Sequence, residues 1–144
     1  MKAFTDFINE GKVWKQSPDP AEARSLLNQA MARLNDLQSL PLKDSNASFR
    51  FESAYEVLRE AIQAFMAFQG YKPYSHEAVF SFALEKQILP EPEAYKADRY
   101  REMRNDINYR GKTATVQETM EIISFVKRAM PALEKKFKNF KALE

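Results

Sequence analysis

Phe49-Arg50-Phe51-Glu52-Ser53-Ala54-Tyr55-Glu56-Val57-Leu58-Arg59-Glu60-Ala61-Ile62-Gln63-Ala64-Phe65-Met66-Ala67-Phe68-Gln69-Gly70 decides the fold. Phe51, Ala54, Tyr55, Leu58, Ala61, Ile62, Phe65 and Phe68 recur at the three- and four-residue spacing of one helix face. Phe49, Val57, Ala64 and Met66 add a second apolar face. A helix apolar over so much of its circumference belongs at the centre of a bundle or under a second subunit. Asp44, Ser45 or Asn46 is placed to cap its start, and Gly70 to end it.

The flanking segments repeat the helical period. Asp19 is a natural N-cap with Pro20 in the first helical position, and Ala23, Leu26, Leu27, Ala30, Met31, Leu34 and Leu37 trace a stripe that Pro41 stops. Before it, residues 1–18 read as a short helical arm using Phe4, Phe7, Ile8 and Trp14, weakened by Gly11. After Gly70, Ser75 caps a shorter helix with Val79, Phe80, Ala83 and Leu84 inward. Pro90 and Pro92 open the next helix, which Gly111 ends. Thr115-Val116-Gln117-Glu118 is a capping box that starts the last one. That helix carries Val116, Met120, Ile123, Val126, Met130, Leu133, Phe137 and Phe140, and Pro131 inside it predicts a kink or a split. No alternating β-branched run stands out, so the fold class is all-α: an antiparallel bundle of about five helices. It forms one domain over 1–144, with the bundle in 19–140.

Composition narrows the function. The 144 residues include no cysteine, which excludes disulfides, thiolate metal sites and thiol nucleophiles. No apolar run approaches the ~20 residues of a membrane span, and no secretory signal is visible, so a cytoplasmic location without membrane association is expected. The net charge of +2 hides an asymmetry: residues 1–95 carry ten Lys/Arg against thirteen Asp/Glu, and 96–144 carry twelve against seven. A moderately basic C-terminal third helps attract a polyanion without specifying one. The lysines around Phe137 and Phe140, namely Lys135, Lys136, Lys138 and Lys141, read as the solvated face of a docked terminal helix.

The helix from Pro90 to Gly111 carries the candidate site. Tyr100, Met103 and Ile107 form its apolar stripe, while Arg99, Glu102 and Asp106 face water. Beside the stripe lie Arg101, Arg104, Asn105 and Asn108, with Arg104 nearest the apolar edge. Two guanidiniums and two amides suit an anion, because each Arg offers a rigid fork of donors that matches phosphate. The alternative is a polar flank salt-bridged within the bundle. His76, the only histidine, reads as a structural residue bonding near a helix end. One histidine also excludes a di-iron bundle, which needs a Glu-x-x-His pair on each of two helices.

From about residue 8 to residue 137 the chain resembles the HEPN-domain proteins, a helical family often linked to minimal nucleotidyltransferases or to RNA cleavage. The resemblance rests on Asp19-x-x-Glu22-Ala23-x-x-Leu26-Leu27-x-x-Ala30 and Phe51-x-x-Ala54-Tyr55-x-x-Leu58-Arg59. Gly70-Tyr71-x-Pro73-x-Ser75-His76-Glu77-Ala78-Val79 adds to it. Arg104-Asn105-Asp106-Ile107-Asn108-Tyr109 falls on the family's signature, an Arg followed by four to six residues and a His. Here Tyr109 stands in the histidine's place. In family members that cut RNA, the Arg is held to grip phosphate and the His to serve acid–base chemistry across a dimer interface, without metal. A tyrosine, with an unperturbed pKa of about 10, donates a hydrogen bond at neutral pH but removes a 2′-hydroxyl proton poorly.

The resemblance implies a homodimer that binds nucleotide or RNA, or a nucleotidyltransferase-type partner, at Arg101, Arg104, Asn105, Asn108 and Tyr109, with a degenerate ribonuclease signature. Neither cofactor nor metal is expected. The alternatives are an active, toxin-like, metal-independent endoribonuclease using Arg104 with Tyr109 or His76, and a purely structural dimeric bundle.

Overall fold

The structure, a computed structural model, describes residues 1–142, with side chains as far as Phe140, so Lys141 of the basic tail lies outside the described side chains. The chain runs α1 (Phe4–Asn9), β1 (Val13–Lys15), α2 (Pro20–Gln38), α3 (Ala47–Gln69), β2 (Tyr71–Pro73), α4 (His76–Glu85), α5 (Glu91–Tyr109) and α6 (Val116–Ala142). It is an all-α bundle with six helices and one two-stranded ribbon among the described residues.

The local signals do their expected work. Asp19 Oδ1 accepts from the Glu22 amide at 3.0 Å with Pro20 in the first position of α2. The Thr115–Glu118 box closes reciprocally, at 2.9 Å from the Thr115 amide to Glu118 Oε1 and 3.0 Å from the Glu118 amide to Thr115 Oγ1. Ser75 caps α4, and Gly70 ends α3 in the left-handed region at φ 86°. Asn46 precedes α3 without capping it; its side chain instead accepts from the Lys43 amide and donates to the Pro41 carbonyl.

α3 is the hub, packed chiefly against α2 and α6 and also touching α4, α5 and β2. Val57, Ala64 and Met66 on its second face are fully buried by the chain's own helices, and only Phe49 is left exposed. Its apolar circumference therefore needs no second subunit to cover it. Buried Glu60 accepts from Arg33 Nε of α2 at 2.8 Å, and buried Arg50 donates to the Leu37 carbonyl, a favourable place for a cation at the C-terminal end of α2.

Two expectations are corrected. The split is not seen at Pro131, where α6 is one continuous helix. The proline lies on the wet side while Met130, Leu133 and Phe137 are buried on either side of it, so packing keeps both halves helical despite one lost backbone bond. The N-terminal segment also does not stay helical as far as Trp14. After Gly11 it turns into β1, which pairs antiparallel with β2 in the register Val13–Pro73, Trp14–Lys72 and Lys15–Tyr71. Phe4 and Tyr71 meet edge to face at 5.2 Å and Phe4 and Phe82 at 5.3 Å, anchoring the ribbon's inner side on α1 and α4.

Candidate functional site

The C-terminal half of α5 lies against α3 on one side and the start of α4 on the other, because Tyr100 is buried and Met103 and Ile107 pack on the core. That docking fixes the polar flank. Arg101, Arg104, Asn105 and Tyr109 line one hollow of about 280 Å³ together with Ser75, His76 and Glu77 of the α4 start. Asn108, the fifth residue expected there, does not line it; it donates to Glu52 Oε1 of α3 at 3.2 Å.

The two arginines differ. Arg101 Nε donates to Asp98 Oδ1 at 2.7 Å; burial opposes its charge, but that bond with the charges of Asp98, Glu77 and Glu102 holds its guanidinium above its ordinary pKa. Arg104 is only 13% exposed at its side chain, and its one carboxylate contact is a loose 3.8 Å from Nη2 to Glu52 Oε1. Its buried Nε has no hydrogen-bond partner among the described residues. The guanidinium carbon instead sits 5.6 Å from the Tyr55 ring centroid and 5.9 Å from that of Tyr109, within cation–π range of both. Five residues on an ideal helix would turn Tyr109 well away from Arg104, so periodicity separates two side chains that the structure brings together at the end of α5.

His76 lines the hollow, and buried Tyr55 lies behind it. Tyr55 Oη and His76 Nδ1 are 3.0 Å apart, linking α3 to the first turn of α4. Burial pushes the Tyr55 phenol up. Burial, then the charges of Arg59 and Arg104, pull His76 down to about 4, so its imidazole is neutral at pH 7. Beside them Arg59 Nη2 pairs with Glu56 Oε2 at 2.5 Å; burial alone would raise that carboxyl, but Arg59 holds it below its ordinary value.

The hollow thus offers one satisfied guanidinium, one under-satisfied guanidinium, an amide, a neutral imidazole, a phenol and the Ser75 hydroxyl, set against the one carboxylate of Glu77. The start of α4 adds the partial positive charge of a helix N-terminus. Such a set suits an anion, phosphate above all. The sequence pattern points to four α5 residues that line this hollow, whereas it reads His76 as a structural histidine and Tyr55 as core. Both readings are true of their packing, yet the pair also lines or backs the site. Nothing in the local pattern of either segment marks that the start of α4 faces the end of α5.

Among the described residues no cluster of three or more His, Asp or Glu is placed to hold a metal ion, and no helix is long and apolar enough to cross a membrane. A larger cavity of about 470 Å³, floored by Leu89, Phe125 and Leu133, lies between the start of α5 and α6 and shares no residue with the hollow. Compared with protein-family models, curated proteins and solved structures, the chain matches none.

Proposed function

We propose that the chain is a HEPN-like binding and regulatory module that holds nucleotide or RNA by phosphate in the hollow around Arg104. The observation that carries this reading is Arg104 itself. A guanidinium placed largely out of water with Nε unpartnered and only a 3.8 Å carboxylate contact leaves donors unfulfilled. A phosphate oxygen in the hollow would offer this guanidinium's accessible donors charge-assisted bonds. The resemblance to HEPN proteins at Arg104-Asn105 supports the same reading.

The test is binding of a short labelled RNA with increasing salt. Affinity should fall as salt rises, because released counterions carry much of it. Arg104→Ala should cost about tenfold or more, since hydrogen bonds to charged groups contribute about 1.5–3 kcal/mol. Arg104→Lys should recover little, an ammonium being unable to reproduce the planar fork. Equal binding by wild type and Arg104→Ala would sink the proposal.

A metal-independent endoribonuclease is the second reading, favoured by the neutral His76 beside Arg104. It ranks second because a base with a pKa near 4 is poorly matched to proton transfer at pH 7. RNA cleavage that survives EDTA and is lost with His76→Ala would reverse the order.

A further inference from the structure

The β1–β2 ribbon presents two large aromatic side chains to solvent. Trp14 is 60% exposed and Tyr74 57%, with ring centroids 5.3 Å apart. Side chains on paired residues of a ribbon share a face, and so do residues two apart. Trp14 faces Lys72 across the ribbon and Tyr74 follows Lys72 by two, so all three stand on the outer face. The Tyr74 amide donates to the Lys12 carbonyl at 2.8 Å, extending the pairing past β2. Lys72 Nζ lies 5.9 Å from the Tyr74 ring centroid. The core has no claim on this face: the opposite side, through Val13 and Tyr71, makes all the packing.

Lysines outnumber carboxylates along the ribbon, where Glu10, next to Gly11, is the acidic residue that acts on Lys12. Lys12 and Lys72 stand on the face of Trp14, Lys15 pairs with Tyr71 on the opposite one, and no Asp or Glu occurs from Gly11 to Pro18 or from Gly70 to His76. All three lysines are exposed, and none is in an ion pair among the described residues. Exposed aromatic rings interleaved with free lysines are the arrangement on which single-stranded nucleic acids stack their bases while their phosphates are neutralised.

Position ties this face to the hollow. Tyr74 is followed directly by Ser75 and His76, both lining residues. Two residues of chain span at most about 7 Å, so the backbone of Tyr74 lies that close to the backbone of His76.

We infer that the outer face of the ribbon, Trp14 and Tyr74 with Lys72, is a stacking subsite for an unpaired nucleobase of single-stranded RNA. The inference rests on the phosphate-binding reading of the hollow and extends it from an anion site to a base-plus-phosphate site. It also sets the ligand class, since a base held inside a duplex offers no open face to stack on.

Trp14 is the only tryptophan, so its fluorescence reports this face directly. The probes are octaadenylate and an abasic ribose-phosphate octamer of equal charge. Octaadenylate should quench Trp14 saturably and bind more tightly than the abasic octamer, which should bind without quenching. Tyr74→Leu, which keeps the reporter, should weaken octaadenylate about tenfold and leave abasic binding unchanged, at an unaltered melting temperature. Equal affinity for the two octamers without quenching would overturn the subsite and leave the phosphate hollow standing. Quenching that Arg104→Ala does not weaken would instead sink the hollow and leave the ribbon as the binding face. No binding of either octamer would overturn both. Trp14 emission indifferent to RNA, together with a dimer that Trp14→Leu turns into monomer, would overturn the subsite by showing this face to be a contact between copies of the chain.

Discussion

The Tyr55 hydroxyl lies 3.0 Å from His76 Nδ1, so the only histidine of the chain is held against a buried phenol rather than left free in solvent. Burial, and then the positive charge of Arg59, Arg104 and Arg101, offset in part by Glu56, bring its pKa down to about 4. The unfolded chain therefore binds a proton at this position from about pH 6.5 downward, and the folded chain binds it only near pH 4. Stability rises with pH wherever the unfolded state binds more protons, so this contribution is complete above pH 6.5 and lost as pH falls from 6.5 to 4. Water still reaches the half-buried ring, so a loss of about 1–2 kcal/mol is expected, less than the full shift would supply. Denaturant unfolding of wild type and His76→Gln across that window measures it. The wild type should lose more; parallel curves would mean that His76 is not held neutral by the fold.

Gly70 and Gly11 make a paired test of the ribbon. Both have positive φ, 86° and 74°, but a Cβ on Gly70 would stand 2.3 Å from the Gln16 carbonyl oxygen, while one on Gly11 would meet nothing within 4 Å. Gly11→Ala should cost only the left-handed penalty of about 1–2 kcal/mol. Gly70→Ala adds a backbone collision with Gln16, the residue after the strand that carries Trp14, and should cost clearly more, about 3 kcal/mol or above. Its Trp14 emission should shift as well. Equal losses for the two substitutions would deny the close approach of Gln16 and Gly70.

How much of this was legible in the sequence follows the range of each interaction. The stripes of α2 and α3, the Asp19 cap, the Thr115–Glu118 box and the Gly111 stop act within a few residues, and each is where its pattern says. The ribbon was not legible. A three-residue strand with only Val13 buried has too little alternation to register, and Val13 and Trp14 read equally well as the tail of an apolar helix face. Arg104 and its neighbours on α5 were legible as a polar flank beside a core seam. That Tyr55 and His76 back this flank was not, because their meeting depends on how α3, α4 and α5 dock. The same holds for the second apolar face of α3, whose coverage by one chain depends on the placing of α2, α4 and α6.

The α3–α6 seam yields a stability prediction with an internal control. Phe65 is fully buried and meets Phe137 and Phe140 edge to face, with centroids at 5.4 and 5.5 Å. Phe65→Ala should cost about 3–5 kcal/mol, the sum of lost transfer and an unfilled cavity. Phe49, on the same helix, is 73% exposed, and Phe49→Ala should change stability by no more than about 0.5 kcal/mol. Denaturant unfolding decides both. A large loss at Phe49 that grows with dilution would mean that the exposed ring is covered by a second copy of the chain.

Tyr109 is where binding and cleavage part. Its ring is 74% exposed and stands 5.9 Å from the Arg104 guanidinium carbon, so a side chain at this position already shares the hollow with the proposed phosphate ligand. The phenol can donate to a phosphate oxygen but is a poor base at neutral pH. Wild type is therefore expected to bind RNA without turnover. Tyr109→His places at the exposed rim an imidazole whose unperturbed pKa is about 6.5, near the working range of a proton-transfer group. A positioned general acid or base commonly contributes about 10²–10⁴-fold, so even partial placement should yield EDTA-resistant cleavage visible on a gel. That activity should peak near the imidazole titration range and vanish when Arg104→Ala is added. Cleavage by wild type that His76→Ala abolishes would make the inner histidine the acting base and replace the binding reading with the nuclease one. Cleavage by wild type that Tyr109→Phe abolishes would make the tyrosine catalytic. If wild type and Tyr109→His bind RNA equally and neither cleaves, the hollow is a binding surface that more than one residue separates from a nuclease.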